Sequence, residues 1–501
     1  MKKNALLVLI SISSFYTAQV GINTQDPQGV LDIKNKAGSK SGLVLPVVDD
    51  ANNTVTPSGS AAAESTLVYD QTGQCIRVKT GTGWSNCLID QSNVSITALG
   101  STFWVASSFS TLTEPLMQKK FSGTQYATVF SNAADKDYST GAGYPAYGLG
   151  VPGPAVAVSP AKRVYKSNIL TVSGSYLSSI MINTDGKIFV TGVNSNGKLG
   201  TGNLSNLDTW QEVTLTGATA DEKAIQVQMS PYASIILTNK GYVYSAGGNV
   251  FGQTGLGTVN GNTTSFTKIP SLSNVKSIWG GDDVDANDMF TAITNDNKIY
   301  AWGNYSNAGL SSSLGTNGVK STPIEITSSF AAATASGGVV KKVMIGNNGS
   351  FALLSNGTIW AAQAVGISKS YIGLGNTTST SSDLQDITSY ITMAAGEKIV
   401  DFDFSDNGGA IITNHYVWRF GMDTSYRFSN AGGQIMTWAK LNSEIYDGDI
   451  ILTSLDLDYS GLLIGTDLEN SNRIIVCGYN AYRQLGTTNN DNILTPTYGR
   501  Y

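Results

Sequence analysis

The chain has 501 residues, too many for one small core, so one large repetitive fold or several domains is expected. Only 13% of the residues are charged and 55 are glycine; with abundant Ser, Thr and Asn, this excludes a mainly helical chain and reads as strands joined by tight turns. A net charge of −5 gives no basic footprint for nucleic acid, and a single histidine rules out a multi-histidine metal site.

The first residues, "MKKNALLVLISISSFYTAQV", join a basic start (Lys2, Lys3) to a short apolar run (Leu6 to Ile12) and then small residues up to Ala18. They read as a signal peptide over 1–18, which makes the protein exported: secreted, periplasmic or at the cell surface. No cysteine follows the cleavage point, which argues against a lipid anchor, and no later run is long and apolar enough to span a bilayer.

Residues 19–92 read as a small β-rich module of short strands and polar loops, with "ANNTVTPSGSAAAES" (Ala51 to Ser65) as a linker-like stretch. In "GQCIRVKTGTGWSNC", a hairpin turning at "TGTG" brings Cys75 towards Cys87, and export favours a disulfide between them. The third cysteine, Cys477, lies in the apolar run "RIIVCG" and reads as a buried small hydrophobe. "QVGINTQDPQGVLDI", "GLVLPVVDD" and "STLVYDQTGQCIRVKTGTGWSNC" resemble the N-terminal module of many exported proteins of Bacteroidota.

From about residue 93 onward the chain repeats. "KIFVTG", "YVYSAG", "KIYAWG", "TIWAAQ", "YVWRFG" and "RIIVCG" end at Gly192, Gly247, Gly303, Gln363, Gly421 and Gly478, at spacings of 55 to 60 residues. So steady a period marks a repeat architecture. Each unit holds an apolar run such as "SIILTN", a turn such as "TNKG", a second apolar run, and a Gly/Asn loop such as "TGVNSNGKLGTGN" (Thr191 to Asn203). That loop often ends in Leu-Gly, as at Leu199, Leu256, Leu314, Leu374 and Leu485. A third run ("QEVTL", "TKIP") and a fourth ("AIQVQM", "VKSIWG") follow. Four short strands per unit make one antiparallel sheet, and radial repetition of such sheets makes a β-propeller.

"LTNKGYVYSAGGNVFGQTGLG" (Leu237 to Gly257), "ITNDNKIYAWGNYSNAGL" (Ile293 to Leu310), "VTGVNSNGKLG" (Val190 to Gly200) and "VCGYNAYRQLG" (Val476 to Gly486) resemble the repeats of the regulator of chromosome condensation family. A weaker copy lies upstream in "ATVFSN" (Ala127 to Asn132), "YGLG" and "PAVAV". The resemblance implies an all-β fold, a seven-bladed β-propeller of four-stranded blades over residues 93–501. Tyr176, Tyr232 and Tyr459 stand where the family's repeats carry a histidine. The glycines of the Gly/Asn loop are expected to let blades approach at the crowded inner end, with the Leu of Leu-Gly plugging the core between blades. No "GKS" or "GKT" follows them, so a phosphate loop is disfavoured. The chain ends in "ILTPTYGRY", at the phase of the third run, so the C-terminal strand is expected to complete the blade begun between Asn93 and Asn132 and so close the ring.

Candidate chemistry is sparse. Asp282, Asp283, Asp285, Asn287 and Asp288 cluster in "GGDDVDANDMF", which reads as an insertion loop with a solvated acidic face; the alternative is calcium, which suits oxygen ligands at alternate positions, although the sixth-position glycine and final glutamate of an EF-hand loop are missing. "DFDFSDN" (Asp401 to Asn407) reads as alternation on one strand, with carboxylates lining the central channel as the alternative. His415, in "ITNHYVW", reads as an exposed turn residue. Trp279, Trp302, Trp360 and Trp418, at strand ends, read as packing between blades rather than as a sugar platform. No catalytic residue and no cofactor beyond calcium is expected. The function that follows is a non-catalytic, exported interaction scaffold whose propeller-face loops bind a protein or surface glycan. The alternatives are a lectin-like propeller and, behind it, a polysaccharide-acting enzyme.

Overall fold

The computed structural model describes residues 169–175, 177–280 and 289–422 with a few positions omitted, and elsewhere only strands. The chain divides into two compact units, Met1–Asn93 and Val94–Tyr501. In the first, Val20–Ile22 pairs in parallel with Leu31–Ile33. Val47–Val48 pairs in parallel with Leu67–Asp70, which continues antiparallel to Cys75–Thr80 and then to Gly83–Trp84. Cys75 stands opposite Asp70. Cys87 lies outside the described residues.

The second unit is built from four-stranded antiparallel sheets, each laid down in chain order from an inner to an outer strand. The first blade runs Ile169–Ser175, Ser178–Asn183, Ile188–Gly192 and Leu207–Val213. The second runs Ala224–Met229, Ala233–Thr238, Val243–Gly248 and Asn262–Lys268. The third begins at Val275, the fourth at Val340, the fifth at Ile399 and the sixth at Leu452. Strands such as "SSIMIN" and "ASIILT" are buried at every position because a blade has neighbours on both faces, so they read as continuous apolar runs. Outer strands alternate between half-buried and exposed, as in "LDTWQEV".

Six blades carry the grammar of the repeat where seven were expected. Residues 121–165 form a further four-stranded antiparallel sheet, but it departs from the pattern. Its last strand, Ala157–Tyr165, shifts register twice against Asp137–Ala142, between Val158 and Lys162 and between Arg163 and Tyr165. Pro160 sits inside that strand and has no N–H to give the ladder.

The expected closure by an exchanged C-terminal strand is also corrected. Ile493–Tyr498 pairs with Ile474–Gly478 as the outer strand of the sixth blade. The physical reason lies in the phase of the repeat. The fourth apolar run of each sequence unit is the inner strand of the next blade, so a chain ending on the third run ends on a finished blade.

Neighbouring blades are joined at their inner strands by side chains that bond to backbone. Ser173 Oγ accepts from the N–H of Met229 (3.0 Å). The Gln226 amide both donates to the carbonyl and accepts from the N–H of Ile278, each at 2.9 Å. From the second strand of the third blade, Met289–Thr294, Thr291 Oγ1 donates to the carbonyl of Val343 (2.6 Å). Lys342 Nζ donates to Asp401 Oδ1 (2.9 Å) and to the carbonyl of Phe402. The other oxygen of Asp401 accepts from Leu455 N–H (3.1 Å), and Asp403 accepts from Leu457 N–H (3.3 Å). Each of these six inner strands has a register shift after its first residue, a bulge that immediately precedes Thr171, Gln226, Ser277, Lys342, Asp401 and Ser454. A bulge re-aims side chains, and Gln226, Lys342 and Asp401 are the residues that reach the next blade. Asp401 and Asp403 are therefore buried between blades and do not line an open channel.

The Lys342 ammonium also lies 4.9 Å from the Trp279 ring centroid and 4.8 Å from that of Phe402. Removing one partner of a buried pair leaves the other charge uncompensated. Lys342→Met should cost about 3–5 kcal/mol. Adding Asp401→Asn should restore most of that loss, because the amide oxygen still accepts from Leu455. Urea denaturation of the single and double variants measures both.

Candidate functional site

Antiparallel order places two sets of connections at one end of the propeller: inner to second strand, and third to outer strand. The Gly/Asn loops are the second set, and the acidic stretch Asp282 to Asp288 belongs to the first, between Val275–Gly280 and Met289–Thr294. That stretch lies outside the described residues, so its five candidate ligands have no geometry to report.

The Gly/Asn loops are built around buried asparagines. Asn194 Oδ1 accepts from Leu199 N–H (2.9 Å) while its amide donates to the carbonyl of Asn203 (2.9 Å). Asn249 repeats the arrangement with Thr254 N–H (3.2 Å) and the carbonyl of Thr258 (2.8 Å). Leu199 and Leu314 are buried as expected of core plugs, whereas Leu256 and Leu374 are partly buried against the core.

The expectation that these glycines serve the inner end is corrected: they meet the outer strand of the following blade. Gly202 N–H donates to the carbonyl of Thr264, and Gly257 N–H to that of Ser321, each at 2.8 Å. Gly375 N–H donates to the carbonyl of Met436 on the fifth blade's outer strand, and Leu310 N–H to that of Ser382 in the fourth blade's own loop, each at 2.7 Å. At Gly200, φ is +67° and an added Cβ would lie 2.3 Å from Phe266 Cδ2 in the next blade. Ser234 and Ser350, on second strands, hold the same loops by donating to the carbonyls of Lys198 and Ala308. None of these Asn and Ser roles was read from the sequence; the Asn two residues after Gly192, Gly247 and Gly478 was the available signal.

The tryptophans pack as expected. Trp302 is fully buried and donates from Nε1 to the carbonyl of Gln253 in the preceding blade (3.0 Å). Trp279 and Trp418 are buried, and Trp360 is half-buried with Nε1 donating to Thr358 Oγ1 (3.2 Å). His415 is half-buried rather than exposed, in the turn between the second and third strands of the fifth blade, with its ring against Tyr416. It therefore sits at the opposite end from the Gly/Asn loops. Cys477 is buried and reduced.

Among the described residues, charge divides the two ends. The turn end carries the exposed pairs Lys187–Glu212, Lys240–Asp221 and Lys298–Glu325 at 3.2, 2.5 and 3.4 Å. A hydrogen bond from Lys240, then one from Thr219, lowers the Asp221 carboxyl to about 2. In the Gly/Asn loops of the first three blades the one charged residue is Lys198, and it is buried with its ammonium on the carbonyl of Pro231 (2.9 Å). Among the described residues no group of three His, Cys, Asp or Glu side chains is placed to hold a metal ion, and no helix is long and apolar enough to cross a membrane.

No family model matches the chain. A human RCC1-like G exchanging factor-like protein is 30% identical over 161 residues, a match that spans 30% of this chain and 32% of that protein's length. Among solved structures, human WBSCR16 is 19% identical with a TM-score of 0.50, covering 67% of this chain and 85% of that one. Yeast RCC1 (Prp20), from its complex with Kap60, is 13% identical with a TM-score of 0.55, covering 67% and 77%. Prp20p of Saccharomyces cerevisiae, in a structure titled for its binding to Gsp1p and histones, is 13% identical with a TM-score of 0.53, covering 69% and 80%. The structural likenesses establish the fold as a propeller of the kind found in RCC1, and the sequence match is to an RCC1-like protein.

The loop-to-strand contacts predict a contrast between two glycines. Gly200→Ala forces a shift of the Phe266 ring and should cost about 1–3 kcal/mol. Gly217→Ala, with φ of +76° but open space around the added Cβ, should show only the backbone strain of about 1 kcal/mol. Equilibrium unfolding of the two variants separates blade contact from turn strain.

Proposed function

We propose that the protein is an exported, non-catalytic interaction propeller that engages a protein partner through the loops at its Gly/Asn end. The observation that carries this reading is where the interior chemistry goes. Lys342, Asp401 and Asp403 bond to the backbone and to one another between blades. That leaves the connecting loops as the surface open to a partner, and the structural neighbours include yeast RCC1 (Prp20) bound to Kap60 and Prp20p, which binds Gsp1p and histones. The N-terminal sequence through Ala18 supports export. A seventh blade formed by residues 121–165 is part of the proposal: the strand Phe121–Gly123 borders the inner strands of the first and sixth blades, where a closing blade belongs.

A second reading is favoured by the similarity to a G exchanging factor-like protein: the loop end accelerates nucleotide release from a small GTPase. Two assays decide. Cross-linking of the full chain to its captured partner should map contacts to residues 193–206, 249–261 or 363–384, and not to the turns near Lys187 and Lys298. Release of fluorescent GDP from a panel of small GTPases should be unchanged by the protein. Acceleration of that release would replace the scaffold with the exchange factor.

We further propose calcium for Asp282, Asp283, Asp285, Asn287 and Asp288, and a Cys75–Cys87 disulfide in the N-terminal unit. A bound ion stabilises only the folded state. Millimolar calcium should therefore raise the melting temperature, and Asp285→Ala should abolish the increment. No shift with calcium leaves a solvated acidic loop.

A further inference from the structure

Six large apolar side chains are described as exposed: Leu204 (47%), Val250 (56%), Val259 (48%), Val319 (40%), Val365 (62%) and Tyr390 (51%). Single exposed hydrophobes are ordinary. Their distribution is not. Leu204, Val250, Val259 and Val365 lie in the connections between third and outer strands of the first, second and fourth blades, and Val319 is the second residue of the third blade's outer strand, Gly318–Glu325. They share one end of the propeller, while Tyr390 sits on the connection that leads from the fourth blade to the fifth at the other end.

The loops that carry these side chains hold few charges, although Lys320 follows Val319 on its strand. Residues 193–206 contain only the buried Lys198; residues 249–261 and 306–317 contain no charged residue; residues 363–384 add Lys369 and Asp383. Hydrogen bonds from Gly202 to Thr264, Gly257 to Ser321 and Leu310 to Ser382 tie these loops into one band running blade to blade. The band is therefore preorganised, which lowers the entropy cost of binding.

We infer that this band is a docking surface for an uncharged polypeptide segment bearing aliphatic side chains. Charge matching supports that occupant. A charged segment would lose hydration on these loops, whose charges are the buried Lys198 and, in the fourth blade, Lys369 and Asp383. Sugars are recognised through exposed aromatic faces, and the exposed side chains of this band are aliphatic, which favours a peptide with Val, Ile or Leu over a glycan. The inference rests on the proposed loop-end interaction and specifies the chemistry of its partner.

The test pans a random peptide library against the full-length protein. The expected result is enrichment of peptides that lack Asp, Glu, Lys and Arg and carry aliphatic residues. A synthetic consensus peptide should bind at least about tenfold more weakly to Val250→Asp and Val365→Asp, and equally well to Tyr390→Asp. Both loop sites are exposed, so unchanged unfolding curves should accompany the lost binding. Three outcomes overturn the inference: no enrichment, enrichment of charged peptides, or binding insensitive to Val250→Asp and Val365→Asp. A concentration-dependent dimer abolished by Val250→Asp would overturn it in favour of a second copy of this chain. Charged peptides whose binding depends on Asp285 would refute this inference while sparing the loop-end function. Binding lost only in Tyr390→Asp would refute both.

Discussion

Adjacent blades of this propeller share no backbone ladder between their inner strands, so each must answer its neighbour's N–H and carbonyl groups with side chains. Burying such a group without a partner costs about 1–3 kcal/mol, and the cost would recur around the ring. The solution differs at each interface but not in kind: a serine hydroxyl, a glutamine amide, a threonine hydroxyl, a lysine with an aspartate, and then two aspartates. The bulge at the start of each inner strand supports this arrangement by turning Gln226, Lys342 and Asp401 out of their own sheet.

The outer strands face the complementary problem. An unpaired edge is a template for aggregation. Here the loop of the preceding blade covers it. Gly202 and Thr216 donate to the carbonyls of Thr264 and Phe266 on the second blade; on the fifth, Gly375 donates to the carbonyl of Met436 and the carbonyl of Gly373 accepts from Trp438 N–H. The same loops thus protect edges, hold the blades in sequence and present one end of the molecule to solvent. Their low charge follows from the first two roles, since their backbone packs against a neighbouring strand. The exposed Val and Leu side chains do not follow from either, which is why they point to a partner.

The separation of charge between the two ends has little to do with stability. The ion pairs of the turn end are solvent-exposed, and such pairs contribute about 0–1 kcal/mol each. They keep that end hydrated. The structural likeness to RCC1 propellers fixes the architecture, but one fold hosts many functions, so function has to be argued from particular side chains and not from the fold.

Much of the architecture was legible in the sequence because it rests on local patterns. The spacing of Gly192, Gly247, Gly303, Gln363, Gly421 and Gly478 gave the blade period, and the paired apolar runs gave the strands. The burial of Trp302, Leu199 and Cys477 followed from their place in those runs. What the sequence did not disclose were contacts between residues about 50 to 60 positions apart, one repeat away. Asp401 and Asp403 looked like alternation on one strand, because a bulge leaves no mark in composition. Gly200 looked like relief at the inner end, because only the packed blades reveal that its neighbour is Phe266. The phase of the repeat was hidden for the same reason: hydrogen-bond order, not sequence order, decides that each blade starts with the run that ends the sequence unit. Periodicity belongs to one chain segment at a time and can be read from it. The choice of neighbour belongs to tertiary structure, because it is settled by which buried polar groups find partners when the blades meet.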